Sequence, residues 1–308
     1  MTELTVVHRT VLPAVAPYDF ALSARALPAF APTASDVTVD GDRVRRALLR
    51  PPDAAVLVDV GPAPGGVDLI VSSSTALSSP SVAAVEADVA RWLGLADDLS
   101  GFHARAAVDP PMAPVLEVAR GLHQVRFPSL SEATVYFALT QRSTTWFARA
   151  RKRRLAAAVG VAVVADGVTY PAFPSLATVA AMSVEEMIEF AGNRQRAERV
   201  LDVARGVAAL DESWLRTAPY DEARRALLAI SGVGPFTAHG LLIRALGRPD
   251  DVPLEMAQFT RAAAAVYGEP PPSPAELRER YGDQIGWWAY VTRTALAWLP
   301  EPAPAVTG

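Results

Sequence analysis

The chain has 308 residues, 51% of them apolar, and a net charge of −4; it can bury one large core or about two or three smaller ones. It contains no cysteine, which excludes a disulfide framework, a thiolate zinc site and an iron–sulfur cluster. No basic start precedes an apolar run and no stretch approaches the roughly 20 apolar residues of a membrane span, so a soluble, cytoplasmic protein with no membrane partner is expected.

Residues 1–100 predict a β-rich part. Short apolar and β-branched runs at Leu4–Val11, Val37–Val39, Ala54–Val60 and Val67–Val71 are separated by turn clusters, among them Asp40-Gly41-Asp42 and Pro62 to Gly66. A helix is predicted over Ser81–Leu95. From Phe102 the pattern is helical. Ser129-Leu-Ser-Glu132 has the form of a capping box, opening an all-round apolar and therefore central helix over Ala133–Leu139. Further helices are predicted over Trp146–Val159, Ser175–Ala181, Ser183–Ala191, Asn193–Ala208, from Tyr220, and over Met256–Val266 and Ile285–Trp298. Glu269-Pro-Pro-Pro-Ser-Pro274 reads as a stiff connector and residues 301–308 as a flexible tail. The expected class is α+β: a small antiparallel sheet with helices over 1–100, then an all-α region over 101–300.

Within that region, residues 221–246 form the most informative segment. An apolar helical run ends at Ser231, Gly232-Val233-Gly234 makes a tight turn, and Pro235-Phe236-Thr237-Ala238 opens a second helix. The free N–H groups of such a helix start point outward, where a phosphate docks. This is a helix–hairpin–helix, although the same residues also fit an ordinary αα-hairpin. The net charge does not suggest a nucleic-acid partner, but clustering matters more than the total. Arg142, Arg149, Arg151, Lys152, Arg153 and Arg154 form one basic run, Lys152 being the only lysine in the chain; a solvated helix face is the alternative reading.

The hairpin resembles that of the DNA glycosylases of the helix–hairpin–helix-GPD superfamily. An ordered series of segments, Leu95–Phe102, Arg126–Ala133, Leu139–Ser143, Ala191–Ala197 and Trp287–Tyr290, resembles the 3-methyladenine DNA glycosylase II (AlkA-like) family over nearly the whole chain. The resemblance implies a DNA N-glycosylase that flips a damaged, alkylated purine from double-stranded DNA and hydrolyses its N-glycosidic bond in base-excision repair, acting as a monomer without a cofactor. It places Gly232, Val233, Gly234, Phe236 and Thr237 against a phosphate, with Na+ or K+ bridging from the carbonyls of Ser231 and Val233. Gln141, Arg142 and Ser143 would enter the minor groove, Arg142 filling the gap left by the extruded nucleotide; a polar helix end is the alternative.

The family carboxylate that stabilises the oxocarbenium-like sugar falls at Glu255 or its neighbour Met256, and Glu255 is the only acid there; Asp250 and Asp251 come too early. The family residue is an aspartate, and an acid favoured at a helix start by the dipole is the alternative role. Bifunctional relatives carry a lysine where this chain has Phe236, which implies a monofunctional enzyme. The base pocket would draw on Trp146, Phe236, His239, Trp287, Trp288 and Tyr290, residue types that also build cores. A catalytically impaired homologue that binds distorted DNA without excision is the alternative function.

Overall fold

The computed structural model describes residues 4–50 and 54–299, so the tail expected beyond 300 lies outside the described residues. Contacts divide the chain into two compact units, each built from two separate stretches: the residues up to Asp97 with His123–Arg248, and Asp98–Leu122 with the residues from Pro249. The β-rich first third and the hairpin segment therefore share one unit.

In that unit β1 (Thr5–Pro13), β2 (Thr38–Asp40), β3 (Arg43–Arg50), β4 (Ala54–Ala63) and β5 (Gly66–Ser73) form an antiparallel sheet in the order β1-β5-β4-β3-β2. Gly41 and Gly65 take left-handed φ values of 59° and 70° at the two turns named from the sequence. β3 is an addition to the sequence reading. Its arginines disguise the alternation: Arg43 and Arg45 both bond Asp59 on the adjacent strand, while Val44 and Arg46 are buried. A helix over Phe20–Ala29 and a hairpin of β6 (Val161–Ala165) and β7 (Val168–Ala172) are further additions. Val163, Tyr170 and Ala172 of that hairpin pack with Ala47, Ala55 and Leu57 of the larger sheet.

Among the helices of this unit, those starting after Ser129, Ser183 and Asn193 are capped as their sequences imply. Each cap side chain accepts the N–H three residues on. The helix Leu130–Thr140 is buried from Leu130 through Leu139 and lies in an apolar cluster with Phe127, Leu201, Leu227 and Leu241. The capping box expected there forms only by half. Ser129 Oγ accepts the Glu132 N–H at 3.2 Å, but the Glu132 carboxylate bonds instead to Arg46 of β3 and to Lys152 of the helix Thr145–Val159. Two charged donors outcompete one neutral N–H for a carboxylate that is 1% exposed. Lys152 also meets Asp36 at 2.5 Å and is itself 1% exposed, so it does not belong to the basic helix face in which the sequence placed it.

The second unit contains the helices Ser100–Ala107, Ala113–Ala119, Ala257–Tyr267, Pro274–Tyr281 and Ile285–Ala295. Its polar centre is Asp109, which accepts the hydroxyls of Tyr267 at 2.8 Å and Tyr281 at 2.7 Å and pairs with Arg280 at 3.0 Å. Trp288 Nε1 donates to the Tyr267 hydroxyl, so the network reaches the last helix. Pro274, read as the end of a connector, instead occupies the first turn of a helix whose Ser273 and Glu276 make a complete capping box.

Burial alone would raise the Glu132 carboxyl, but the charges of Arg46 and Lys152 outweigh it and hold it below the ordinary 4.5. Its stabilising contribution is therefore full above the unfolded-state pKa and is lost as pH falls through the folded one. Glu132→Gln should cost about 3–5 kcal/mol, because it leaves two buried cations short of an anion. Urea titrations from pH 7 downward should show that loss at neutral pH and a shallower acid decline in the variant than in the parent.

Candidate nucleic-acid interface

The hairpin is formed by the helices Tyr220–Leu228 and Pro235–Arg244. Leu227, Val233, Ala238, Leu241 and Leu242 anchor both helices and the turn in the apolar cluster of the central helix. The two turn glycines have different reasons to be glycine. Gly232 has φ 83°, and a Cβ there would stand 3.1 Å from side-chain atoms of both Arg199 and Val203. Gly234 has φ −93° and ψ 176°, which any residue adopts, and an added Cβ would meet no protein atom within 4 Å. The chain itself does not require glycine at 234; the space in front of it is open. It is the N-cap of a helix with no side-chain cap, leaving the N–H groups of the first turn without helical partners.

Beside the hairpin lies the turn that follows Thr140. Gln141 Nε2 donates to the Gly232 carbonyl at 2.7 Å and to Thr237 Oγ1 at 3.2 Å, joining that turn to both sides of the hairpin loop. Thr237 is buried, and its hydroxyl is fixed by this bond. Arg142 comes next, exposed and left-handed at φ 52°, an angle that non-glycine residues rarely adopt. Ser143 Oγ accepts from Arg151 at 3.0 Å. Sequence reasoning therefore names residues that the fold brings together here: Gln141, Arg142, Ser143, Gly232 and Thr237.

Positive charge gathers in the same part of the unit. Burial pushes the Arg151 guanidinium below its ordinary range, and the like charges of Arg196 and Arg154 push it further. Trp146 is 61% exposed and Phe147 50%, the two rings meeting edge-on at 4.9 Å; Arg151 stands 5.5 Å over the Phe147 ring. Phe147 is absent from the sequence reading, because an aromatic at that position in a helix reads as core. Phe236 is 45% exposed at the hairpin and touches Phe137 edge-on at 5.8 Å. His239 is half-buried one turn further along. Gly240, which follows it, has a packing cause: a Cβ there would come within 2.5 Å of the Phe137 ring.

The remaining site residues belong to the second unit. The helix Ala257–Tyr267 has Met256 at its N-cap with no side-chain cap, and Glu255 immediately precedes it. The Glu255 side chain is 65% exposed and accepts from Arg278 Nη1 at 3.0 Å; Arg278 also bonds Asp251 at 3.2 Å and the Val252 carbonyl at 2.9 Å. Glu255's own backbone N–H, then Arg278, hold the carboxyl below its ordinary range, so it is an anion at neutral pH. It is thus a paired carboxylate, a partnership hidden from sequence because Arg278 sits on a helix to which the sequence reading assigned no element. Trp288 is wholly buried and bonded to Tyr267, and Trp287 and Tyr290 are 4% and 7% exposed. All three are buried within their unit, Trp288 lying 6.1 Å from the Tyr281 ring.

Among the described residues no cluster of His, Cys, Asp or Glu is arranged to hold a metal ion, and no helix is long and apolar enough to cross a membrane.

The arrangement of hairpin, capped central helix and antiparallel sheet is a fold shared with solved DNA glycosylases. It matches the 3-methyladenine DNA-glycosylase from Archaeoglobus fulgidus with a TM-score of 0.72 over 92% of this chain and 97% of that one, at 20% identity. It also matches the apo 8-oxoguanine glycosylase/lyase of Clostridium acetobutylicum with a TM-score of 0.60 over 84% of this chain and 98% of that one, at 16% identity. In sequence, the chain is 27% identical over 166 residues to the DNA-3-methyladenine glycosylase of Bacillus subtilis, 53% of this chain and 55% of the relative. The alignment thus spans only about half the length of that curated relative. No protein-family model matches the chain.

The two turn glycines should respond differently to alanine. Gly232→Ala should cost about 2–4 kcal/mol, the sum of a left-handed alanine and displaced neighbours. Gly234→Ala should cost less than about 1 kcal/mol, the worth of a helix cap. Urea unfolding of the two variants checks the order.

Proposed function

We propose that this protein is a monofunctional DNA glycosylase that grips duplex DNA through the hairpin and hydrolyses the N-glycosidic bond of a damaged, alkylated purine. The observation that carries the reading is the two-point bond from Gln141 to Gly232 and Thr237, which presents the exposed, left-handed Arg142 beside the hairpin. Main-chain N–H groups after Gly234 would hold a phosphate, and the open space there admits it. A monovalent cation on the carbonyls of Ser231 and Val233 would bridge to the same phosphate. Arg142 would fill the gap left by the extruded nucleotide, its planar guanidinium stacking between bases. Ser143, Val233 and Phe236 complete the contact surface, and Trp146, Phe236 and His239 are the remaining candidates for touching the flipped base. The names of the fold relatives, which act on 3-methyladenine and 8-oxoguanine, support damaged bases as the substrate class.

Glu255, ionised at neutral pH, has the charge needed to stabilise an oxocarbenium-like sugar as the base leaves. A cationic alkylated purine is already a good leaving group, so one carboxylate and a water suffice. Among the described residues no amine is placed for Schiff-base chemistry: the relevant hairpin position is Phe236, and Lys152 is enclosed by Glu132 and Asp36.

A second reading, binding of distorted DNA without excision, is favoured by the pairing of Glu255 with Arg278, which offsets its charge, and by its solvent exposure. Incubating the protein with alkylated duplex DNA and counting released bases separates the two. The expected result is release that falls about 100-fold or more in Glu255→Gln with affinity unchanged. Tight binding with no release would establish the second reading. Borohydride should trap no protein–DNA adduct. Arg142→Ala should weaken duplex binding and lower its salt slope by about one or less, measured by titration across salt concentrations.

A further inference from the structure

The first unit holds a cavity of about 410 Å³ that the DNA reading does not use. Its walls are Arg46 to Arg50 of β3, one face of the helix Ser79–Trp92, the segment Pro128–Glu132 and the segment Phe173–Leu176. Two buried arginines line it. The Arg46 side chain is 3% exposed and spends Nη2 on Glu132, while its Nε and Nη1 meet no acceptor. The Arg50 side chain is 10% exposed and spends Nη2 on Asp88, while its Nε meets no acceptor. A buried guanidinium N–H without an acceptor is costly, and protein interiors rarely leave one so.

Three further features favour an anion. The cavity is bordered by the N-terminus of the eleven-residue helix Leu130–Thr140; Ser129 caps the Glu132 N–H, and the N–H groups of Leu130 and Ser131 have no acceptor within the helix. The ion pairs around it join the cations Arg46, Arg50, Arg91 and Lys152 to the carboxylates Glu132, Asp88 and Asp36, one anion too few. Glu212, at the rim, is neutralised by its own partner Arg216. Apart from the hydroxyls of Ser129, Ser131 and Ser175, the rest of the lining is apolar, with Leu48, Leu130 and Phe173 buried around it.

We propose that this cavity is a binding site for a small phosphate monoester with an apolar body, separate from the hairpin. Three guanidinium nitrogens without an acceptor and the helix start supply more donors than the two oxygens of a carboxylate absorb, whereas a phosphate has three terminal oxygens to receive them. The apolar walls take the body of the ester.

Calorimetric titration with phenyl phosphate, inorganic phosphate and benzoate, at constant ionic strength, tests this. Phenyl phosphate should bind with one-to-one stoichiometry, more tightly than inorganic phosphate, and benzoate most weakly. Arg50→Gln should raise the phenyl phosphate Kd about tenfold or more while leaving duplex DNA affinity unchanged. Gly234→Ala should leave phenyl phosphate binding intact. Arg46→Gln should abolish it if the variant folds; the Arg50 variant decides the matter if it does not. Absence of saturable binding would overturn the proposal, as would binding insensitive to Arg50→Gln but lost in Gly234→Ala, which would place the phosphate on the hairpin.

Discussion

The first unit depends on one buried carboxylate. Glu132 stands at the start of the central helix and takes Arg46 from the sheet and Lys152 from the basic helix, with Asp36 completing the charge balance on Lys152. Withdrawing such charges from water is costly, and the cost is offset only when every partner is in place. The cluster therefore ties sheet, central helix and basic helix to one another in a single arrangement. Apolar packing alone would tolerate rotation of the central helix, which is buried nearly all round. The ionic contacts fix its rotation, and with it the direction in which its far end delivers Gln141.

That far end explains the division of labour in the hairpin. Gly232 serves the protein's own backbone and packing, Gly240 lets the second hairpin helix approach Phe137, and Gly234 serves neither purpose. Thr237 and the Gly232 carbonyl hold Gln141, so the strained Arg142 is supported from behind while its side chain reaches solvent. A left-handed arginine persists only where the surroundings over-determine it.

Much of this was legible in sequence because it rests on local chemistry. Ser129, Ser183 and Asn193 mark helix starts through hydrogen bonds to residues three positions away, and Gly232 marks a turn through its φ. What stayed hidden depends on partners far along the chain. The run Arg43 to Arg50 does not alternate in hydropathy, because Arg46 and Arg50 are buried against carboxylates 86 and 38 residues away. Lys152 looks like any cation in a basic helix until Glu132 and Asp36 are seen around it. Trp146 and Trp288 are the same residue type, yet one is 61% exposed and the other buried; helix orientation, not composition, separates them. Arg278 was obscured by the prolines before it, although Ser273 and Glu276 spell out a helix start.

Neither compact unit is a continuous piece of chain. The polypeptide leaves the first unit after Asp97, returns at His123 and leaves again after Arg248. During synthesis, Asp98–Leu122 emerges from the ribosome well before Pro249 and the residues it must pack with, while the first unit is still being completed around it. The two short helices in that stretch wait with their apolar faces uncovered, among them Phe102 and Val115. The second unit is consequently the last to become cooperative in the nascent chain, and a cut at a single point cannot free either unit of the other's residues.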